Sequence, residues 1–195
     1  MRTFFFYSLL LLFLTTQSAD VKAQFYHAKS YKMSIKGTSS YHDWTSDVKN
    51  VSLVGDFMIT NGMLEKIKKA TVLVLTKSIQ SEQHSNLMDE RTHNTLKADK
   101  YPSITYEFIS IKSVQKEFNR TSMVIHGTLS LAGTSKVTDL FLNVITNEKG
   151  EVIISGEKKI KMSDYGIKPP VFMLGLLRVG DEVSINYEVT LEPKR

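Results

Sequence analysis

Serine, histidine and aspartate side chains stand close together in one short segment, Ser39 to Asp43. These residue types supply the nucleophile, the base and the orienting acid of many acyl-transfer hydrolases. His42 directly precedes Asp43, but adjacency along the chain does not align three side chains for catalysis, and the sequence has no Gly-x-Ser-x-Gly nucleophile turn. Glycine-rich phosphate-binding loops are also absent from the sequence. We therefore expect no enzymatic activity.

The histidines are the other candidates for chemistry: His27, His42, His84, His93 and His126. A zinc site needs three or four nitrogen, sulfur or carboxylate ligands that meet in the fold. The sequence has no cysteine, and the pair His84 and His93 has no third ligand nearby. We expect no metal and no cofactor, and the lack of cysteine excludes disulfides and thiolate catalysis.

Charged residues cluster at 89–93, inside a segment (residues 86–97) that lacks strand-type alternation and for which we predict a short helix. Two interpretations of Arg91 and His93 are open. They contact the polar head of a ligand, or they fix the helix to the rest of the protein through an ion pair, with Asp164 as one partner considered for Arg91. The structural interpretation is favoured.

Strands must position these side chains. Apolar residues occupy every second position from Val183 to Leu191, with polar residues between them. Successive side chains of a strand point to opposite faces, so this segment has one dry face and one wet face. The same pattern predicts strands over residues 27–35, 41–48, 51–59, 64–79, 103–111, 121–131, 138–146, 151–162 and 181–193.

Turn signals separate these strands, above all Asn61-Gly62, and also residues 147–150. Many strands and one helix, without alternation of the two, predict an all-β fold with a single antiparallel barrel of eight strands. An eight-stranded barrel can be filled by its own side chains or can hold one small ligand, and the sequence pattern leaves both open.

Residues 1–23 have the features of a secretory signal peptide: Arg2, an apolar run of 11 residues from Phe4 to Leu14, and small residues before the expected cleavage site. The run is too short to span a bilayer, which takes about 20 residues. We expect residues 24–195 to form one exported domain, periplasmic or secreted, and the lack of cysteine excludes a lipoprotein. The net charge of +5 is spread out, so we expect no nucleic-acid partner and at most a transient contact with a membrane surface.

One set of large apolar side chains is assigned by this alternation to the inside of the barrel. The candidates for ligand binding are Tyr31, Met33, Ile35, Trp44, Phe57, Leu73, Leu75, Tyr106, Phe108, Met123, Ile125, Leu129, Leu140, Leu142, Phe172, Met173 and Leu176.

Residues 165–177 form an unusual segment, because Pro169 and Pro170 exclude it from a central strand while its second half is strongly apolar. We expect these apolar side chains to be buried in the core or over the mouth of a cavity.

Five segments in order carry a resemblance: His-Asp-Trp at 42–44, the block from Met-Asp-Glu-Arg to Tyr-Pro-Ser-Ile at 88–104, Gly-Thr-Leu-Ser-Leu-Ala-Gly-Thr at 127–134, Ser-Asp-Tyr-Gly-Ile at 163–167 and Gly-Asp-Glu-Val at 180–183. Together they resemble the YceI-like family of exported lipid- and polyisoprenoid-binding proteins. The resemblance covers nearly the whole chain after the predicted signal peptide.

The resemblance implies an extended, lipocalin-like barrel with a long apolar tunnel. It implies non-enzymatic binding, transport or storage of a polyisoprenoid, quinone or fatty acyl lipid, with that lipid as the partner and a dimer as an open alternative to the monomer. Residues 169–172 depart from the family pattern and could plug the tunnel. The alternative function is an exported interaction module with a filled barrel, which would use Trp44 or residues 169–177 against a protein partner.

Overall fold

The alternating segments form long antiparallel strands in the computed structural model, which describes residues 24–60, 63–117, 120–147 and 151–194. The elements are β1 Gln24–Ser39, β2 Trp44–Val48, β3 Val51–Thr60, β4 Met63–Leu75, β5 Ile79–Ser81, α1 Asn86–Thr95, β6 Ser103–Glu117, β7 Arg120–Leu131, β8 Thr134–Thr146, β9 Val152–Lys161, β10 Val171–Phe172 and β11 Leu177–Pro193. The predicted signal peptide at 1–23, the Asn61-Gly62 turn and most of the 147–150 turn lie outside the described residues.

Eight of these strands close a barrel in the order β1, β3, β4, β6, β7, β8, β9 and β11, and β11 pairs with β1 to complete the ring. All of these pairings are antiparallel. The prediction of an all-β, eight-stranded antiparallel barrel with one short helix is confirmed. Strands β2, β5 and β10 are additional to the ring.

Strand β1 changes its neighbour partway along its length. Residues 24–27 pair with β3, whereas residues 34–37 pair with β2, which in turn pairs with β5. The predicted strand over 64–79 is therefore wrong in its second part, because a 3-10 turn at Thr76–Ser78 separates β4 from β5. Strands β2 and β5 therefore add to the sheet at this end of the barrel.

Helix α1 lies beside β5 at this end; one hydrogen bond caps the helix, and two join it to β5. The Ser85 hydroxyl caps the helix by accepting from the Met88 backbone N–H at 3.4 Å. The Asp89 carboxylate accepts from the Ser81 backbone N–H at 2.6 Å, and His93 Nε2 lies 2.9 Å from the Ile79 backbone oxygen. No helix among the described residues is long and apolar enough to cross a membrane.

The two ends of the barrel differ. We call the end where β3 and β8 finish the packed end. Its inner positions are filled by side chains that are at most 2 % exposed: Phe57, Leu64, Met123, Val144, Val152 and Leu191. We call the opposite end, with α1, β2, β5 and residues 170–177, the helix end. The main core cluster is continuous from the packed end through the middle of the barrel to Ile160, Met162 and Ile167 near the helix end.

Candidate ligand cavity

Two apolar cavities lie in series inside the barrel. The mouth compartment, at the helix end, has a volume of about 170 Å³, and the inner compartment, in the middle of the barrel, has about 160 Å³. Five isoleucine and leucine side chains line both of them: Ile35, Ile79, Ile104, Leu129 and Ile185. The two compartments therefore share a wall and lie end to end, and together we call them the elongated apolar space.

The mouth compartment lies between the barrel, α1 and the segment after Pro169. Trp44 enters its lining from β2, and the indole ring packs closely against Gly37 of β1. A Cβ atom at Gly37 would come within 2.3 Å of the Trp44 ring, so this packing requires glycine. The indole N–H donates to the Thr38 backbone oxygen at 3.2 Å, which satisfies its polar atom.

The inner compartment is lined almost wholly by apolar side chains on alternate positions of the barrel strands. Tyr106 and Tyr187 belong to this lining, and burial raises the pKa of both phenols well above their usual range. Both rings are therefore uncharged at neutral pH. The Tyr187 hydroxyl donates to the Phe141 backbone oxygen at 2.7 Å, and the Tyr106 hydroxyl is buried without a hydrogen-bond partner among the described residues.

Ten of the predicted ligand-binding residues line one or both compartments. They are Met33, Ile35, Trp44, Phe57, Tyr106, Ile125, Leu129, Leu140, Leu142 and Phe172. Their position at the cavity wall is observed, and their contact with a ligand stays a prediction.

Two further candidates are buried but do not line either compartment. Met123 lies in the packed end at 1 % exposure, and Phe108 packs against the core from a partly buried position. They are on the inner side, as expected, but at levels where the interior is filled by protein.

The assignment of Leu73 and Leu75 to the cavity face is wrong. Val72 and Val74 line the inner compartment, so the alternation of β4 turns the two leucines to the outer side, and Leu75 is exposed. The sequence Thr-Val-Leu-Val-Leu-Thr at 71–76 is apolar at every central position. Such a run does not alternate between apolar and polar residues, so the sequence does not indicate which of its side chains point into the barrel.

Three more candidates are exposed. Tyr31 shares the inner face with Val189 by register, but it lies at the corner where β2 and β3 diverge, and its hydroxyl donates to the Lys49 backbone oxygen at 2.9 Å. Met173 and Leu176 face solvent beside the mouth. The expectation that residues 165–177 bury their apolar half is correct for Phe172 and wrong for these two.

Sequence reasoning missed several residues of the cavity wall. Val183 and Ile185 line it, and the alternation in β11 already places them on the dry face. Met88 of α1 and Ile79 of β5 also line it, but no periodic signal marks them, because their positions depend on how the helix packs against the barrel.

Two cations lie at different levels of the elongated space. The Arg91 guanidinium of α1 lines the mouth and stacks 4.0 Å above the centre of the Phe172 ring. No carboxylate among the described residues forms an ion pair with Arg91, and Asp164 pairs instead with Lys136 at 3.5 Å. Lys158 lines the inner compartment from β9. The Arg91 N–H groups are therefore available to an oxygen-bearing group at the mouth.

The segment considered for hydrolytic chemistry forms a turn. The Ser39 hydroxyl donates to the His42 backbone oxygen at 2.7 Å and accepts from the backbone N–H groups of Tyr41 and His42. His42 Nδ1 lies 2.7 Å from the Asp43 backbone oxygen, not from its carboxylate. No group of three His, Asp or Glu side chains in the described part of the chain has metal-binding geometry.

Comparison with known proteins agrees with this geometry. A family model described as the YceI-like domain matches residues 15–191. No curated protein matches the chain.

Solved structures share the fold. Burkholderia cenocepacia BcnA is 15 % identical, with a TM-score of 0.64 over 82 % of this chain and 95 % of that one. A polyisoprenoid-binding domain from Saccharophagus degradans, implicated in plant cell wall breakdown, is 14 % identical, with a TM-score of 0.64 over 89 % of this chain and 100 % of that one. The Campylobacter jejuni YceI protein is 25 % identical, with a TM-score of 0.55 over 77 % of this chain and 84 % of that one.

Proposed function

Because the chain belongs to the YceI-like family, we propose that it binds a long-chain apolar lipid inside the barrel and stores or carries it after export. The lipid is of the polyisoprenoid, quinone or fatty acyl type, and binding is non-covalent and non-enzymatic. The solved polyisoprenoid-binding domain with the same fold supports this class of ligand. The observation that carries the proposal is the pair of contiguous apolar compartments.

The size of the space favours a narrow chain over a bulky ring system. An apolar cavity of roughly 150 Å³ stays dry and holds a benzene-sized ligand, and here two such volumes lie end to end. They accommodate roughly a dozen carbon atoms in series on that scale. Each CH₂ removed from water contributes about 0.8 kcal/mol, so affinity rises with chain length until the two compartments are full.

The polarity of the space favours one orientation of the lipid. The tail lies in the inner compartment, which is lined almost wholly by apolar side chains. The polar head lies at the mouth, where Arg91 presents N–H groups that pair with no carboxylate of the described residues, and where His42 and Thr92 also line the wall. Guanidinium N–H groups form charge-assisted hydrogen bonds with carboxylate and phosphate oxygens.

Native mass spectrometry of the chain beginning at Gln24, followed by solvent extraction, tests the proposal. A bound mass that extracts as an isoprenoid, quinone or fatty acyl species is expected. Leu129→Trp, which places an indole in the shared wall, should remove or shorten this ligand. Val137→Trp on the exposed outer face of β8 is the matched control and should keep it. A protein that stays ligand-free after incubation with a bacterial lipid extract would contradict the proposal.

The alternative of a side-chain-filled barrel describes the packed end alone. Phe57 and Met123 fill that end, whereas the shared wall of the two compartments encloses open volume.

A further inference from the structure

Four large apolar side chains project into solvent next to the mouth. We call Val171, Met173, Leu174 and Leu176 the apolar tip. Val171 is 52 % exposed, Met173 69 % and Leu176 80 %, and Leu174 is fully exposed. Soluble proteins seldom display several large apolar side chains side by side unless another apolar phase covers them.

The backbone presents this tip outward. Met173, Leu174 and Gly175 all have positive φ, at 51°, 54° and 98°. Non-glycine residues adopt this conformation only when surrounding contacts hold them in it. Pairing of Val171 with Arg178 and of Phe172 with Leu177 closes the base of the tip.

Hydrogen bonds anchor the base of the tip to the barrel. The Ser40 hydroxyl donates to the Leu176 backbone oxygen and accepts from the Arg178 N–H, both at 3.0 Å. Arg178 Nε also donates to the Gly175 oxygen at 3.2 Å. These hydrogen bonds hold the base of the tip in place, so the exposure of its side chains is a consequence of the fold.

The charged residues of the segment that carries the tip have one sign. Residues 165–180 contain Lys168 and Arg178 and no aspartate or glutamate. Both cations are exposed. Apolar side chains flanked by basic residues are the combination that binds the surface of an anionic bilayer, by shallow burial and by attraction to the headgroups.

The tip is continuous with the cavity. Phe172, between Val171 and Met173, lines the mouth compartment, and so does Leu177, next to Leu176. A phase that covers the tip thus also faces the opening of the cavity.

We propose that the apolar tip docks the protein onto an anionic phospholipid bilayer, with Lys168 and Arg178 at the headgroups. Docking places the mouth at the membrane, so that a lipid passes between bilayer and cavity without crossing bulk water. The transfer step rests on the proposed lipid-binding function, whereas docking itself does not.

Co-sedimentation of the delipidated chain beginning at Gln24 with phospholipid vesicles tests docking. We expect binding to vesicles of phosphatidylglycerol mixed with phosphatidylcholine, and weaker binding to pure phosphatidylcholine. Leu174→Asp should lower partitioning by about tenfold or more, because it removes an apolar group that the bilayer would bury and adds a charge that the anionic headgroups repel. Phe25→Asp, at an exposed apolar position of the opposite end, is the matched control and should bind as the wild type does.

Three outcomes would overturn docking: no binding to anionic vesicles, equal binding by Leu174→Asp, or a wild-type dimer that Leu174→Asp dissociates while neither form binds vesicles. The last would assign the tip to a second copy of the chain. Uptake of a fluorescent polyene fatty acid, measured on the same samples, separates the two proposals. Leu174→Asp should retain this uptake, and vesicle binding without any uptake would support docking and contradict the lipid-binding function.

Discussion

The packed end and the helix end are made from the same strands, yet one is filled by side chains and the other is hollow. At the packed end the ring has eight strands, and Tyr26 meets Phe57 edge to face with ring centres 5.8 Å apart. At the helix end β1 exchanges β3 for β2, β5 extends the sheet, and α1 covers the gap. Eight strands leave just enough interior for side chains, and the strands added at the helix end accompany the open volume there. We infer that the open volume results from the strand pairing at the helix end and not from smaller side chains in its lining.

The largest expected effect comes from replacing a methionine by alanine at the packed end and at the wall of the inner compartment. Met123→Ala in the packed end should lower the free energy of unfolding by about 3 kcal/mol, because it removes buried contacts and leaves a new cavity. Met33→Ala should cost about 1 kcal/mol, because Met33 is only partly buried and borders a space that is already open. Urea denaturation monitored by Trp44 fluorescence measures both. Equal losses would break the contrast between the two ends.

Larger side chains test the same difference between the packed end and the inner compartment by adding volume. Val144→Phe in the packed end should destabilise the protein by about 2 kcal/mol, because the interior there has no room for a larger side chain. Val72→Phe, at the wall of the inner compartment, should change the stability by less than about 1 kcal/mol and reduce the length of lipid that is bound. Urea denaturation and native mass spectrometry of the two variants are the measurements. A Val72→Phe protein that binds lipid of unchanged length would place the ligand elsewhere.

Local patterns predicted the wall of this molecule better than its interior. The alternation from Val183 to Leu191 identified β11 and its dry face, because one strand of a one-sided sheet carries its own period. The phase of Leu73 and Leu75 was missed, because their neighbours are equally apolar. The open volume was left undecided by the sequence pattern, because it depends on β1 pairing with β2 and β3 in turn, a non-local event. The outward direction of Met173 and Leu176 depends on positive φ angles that no periodicity reports.

The two cations test which level of the space receives the polar head. Arg91→Met keeps an apolar contact for Phe172 and should weaken the binding of a long-chain fatty acid by about tenfold, while binding of the alcohol of equal chain length changes little. Lys158→Met in the inner compartment is the matched variant and should leave the preference for the acid in place. Competition against a fluorescent fatty acid at neutral pH measures the affinities of the wild type and both variants for the acid and for the alcohol. If Lys158→Met and not Arg91→Met abolished the preference for the acid, the polar head would lie in the inner compartment and the lipid would bind in the opposite orientation.

The smallest expected effect is on the stability of β8, which forms part of the barrel wall. Among the described residues, the β8–β9 ladder joins only 143–146 to 152–155, so the rest of β8 is held mainly from its β7 side. There the Asp139 carboxylate accepts hydrogen bonds from Lys112 Nζ at 2.7 Å and His126 Nδ1 at 2.6 Å. These partners, Lys112 first, lower the pKa of Asp139 to about 2.

A carboxyl whose pKa is lower in the folded than in the unfolded protein stabilises the fold while it is ionised. The contribution of Asp139 is therefore complete above a pH of about 4 and disappears as the pH falls towards 2. Asp139→Asn should be less stable than the wild type at pH 7, and the difference should shrink in acid. Ser122→Ala, on the same outer face, changes no ionisable group and should keep the wild-type pH profile. Thermal unfolding between pH 7 and pH 2 measures this, and parallel profiles for Asp139→Asn and wild type would show that the side-chain contacts of β8 do not support the wall where its ladder to β9 ends.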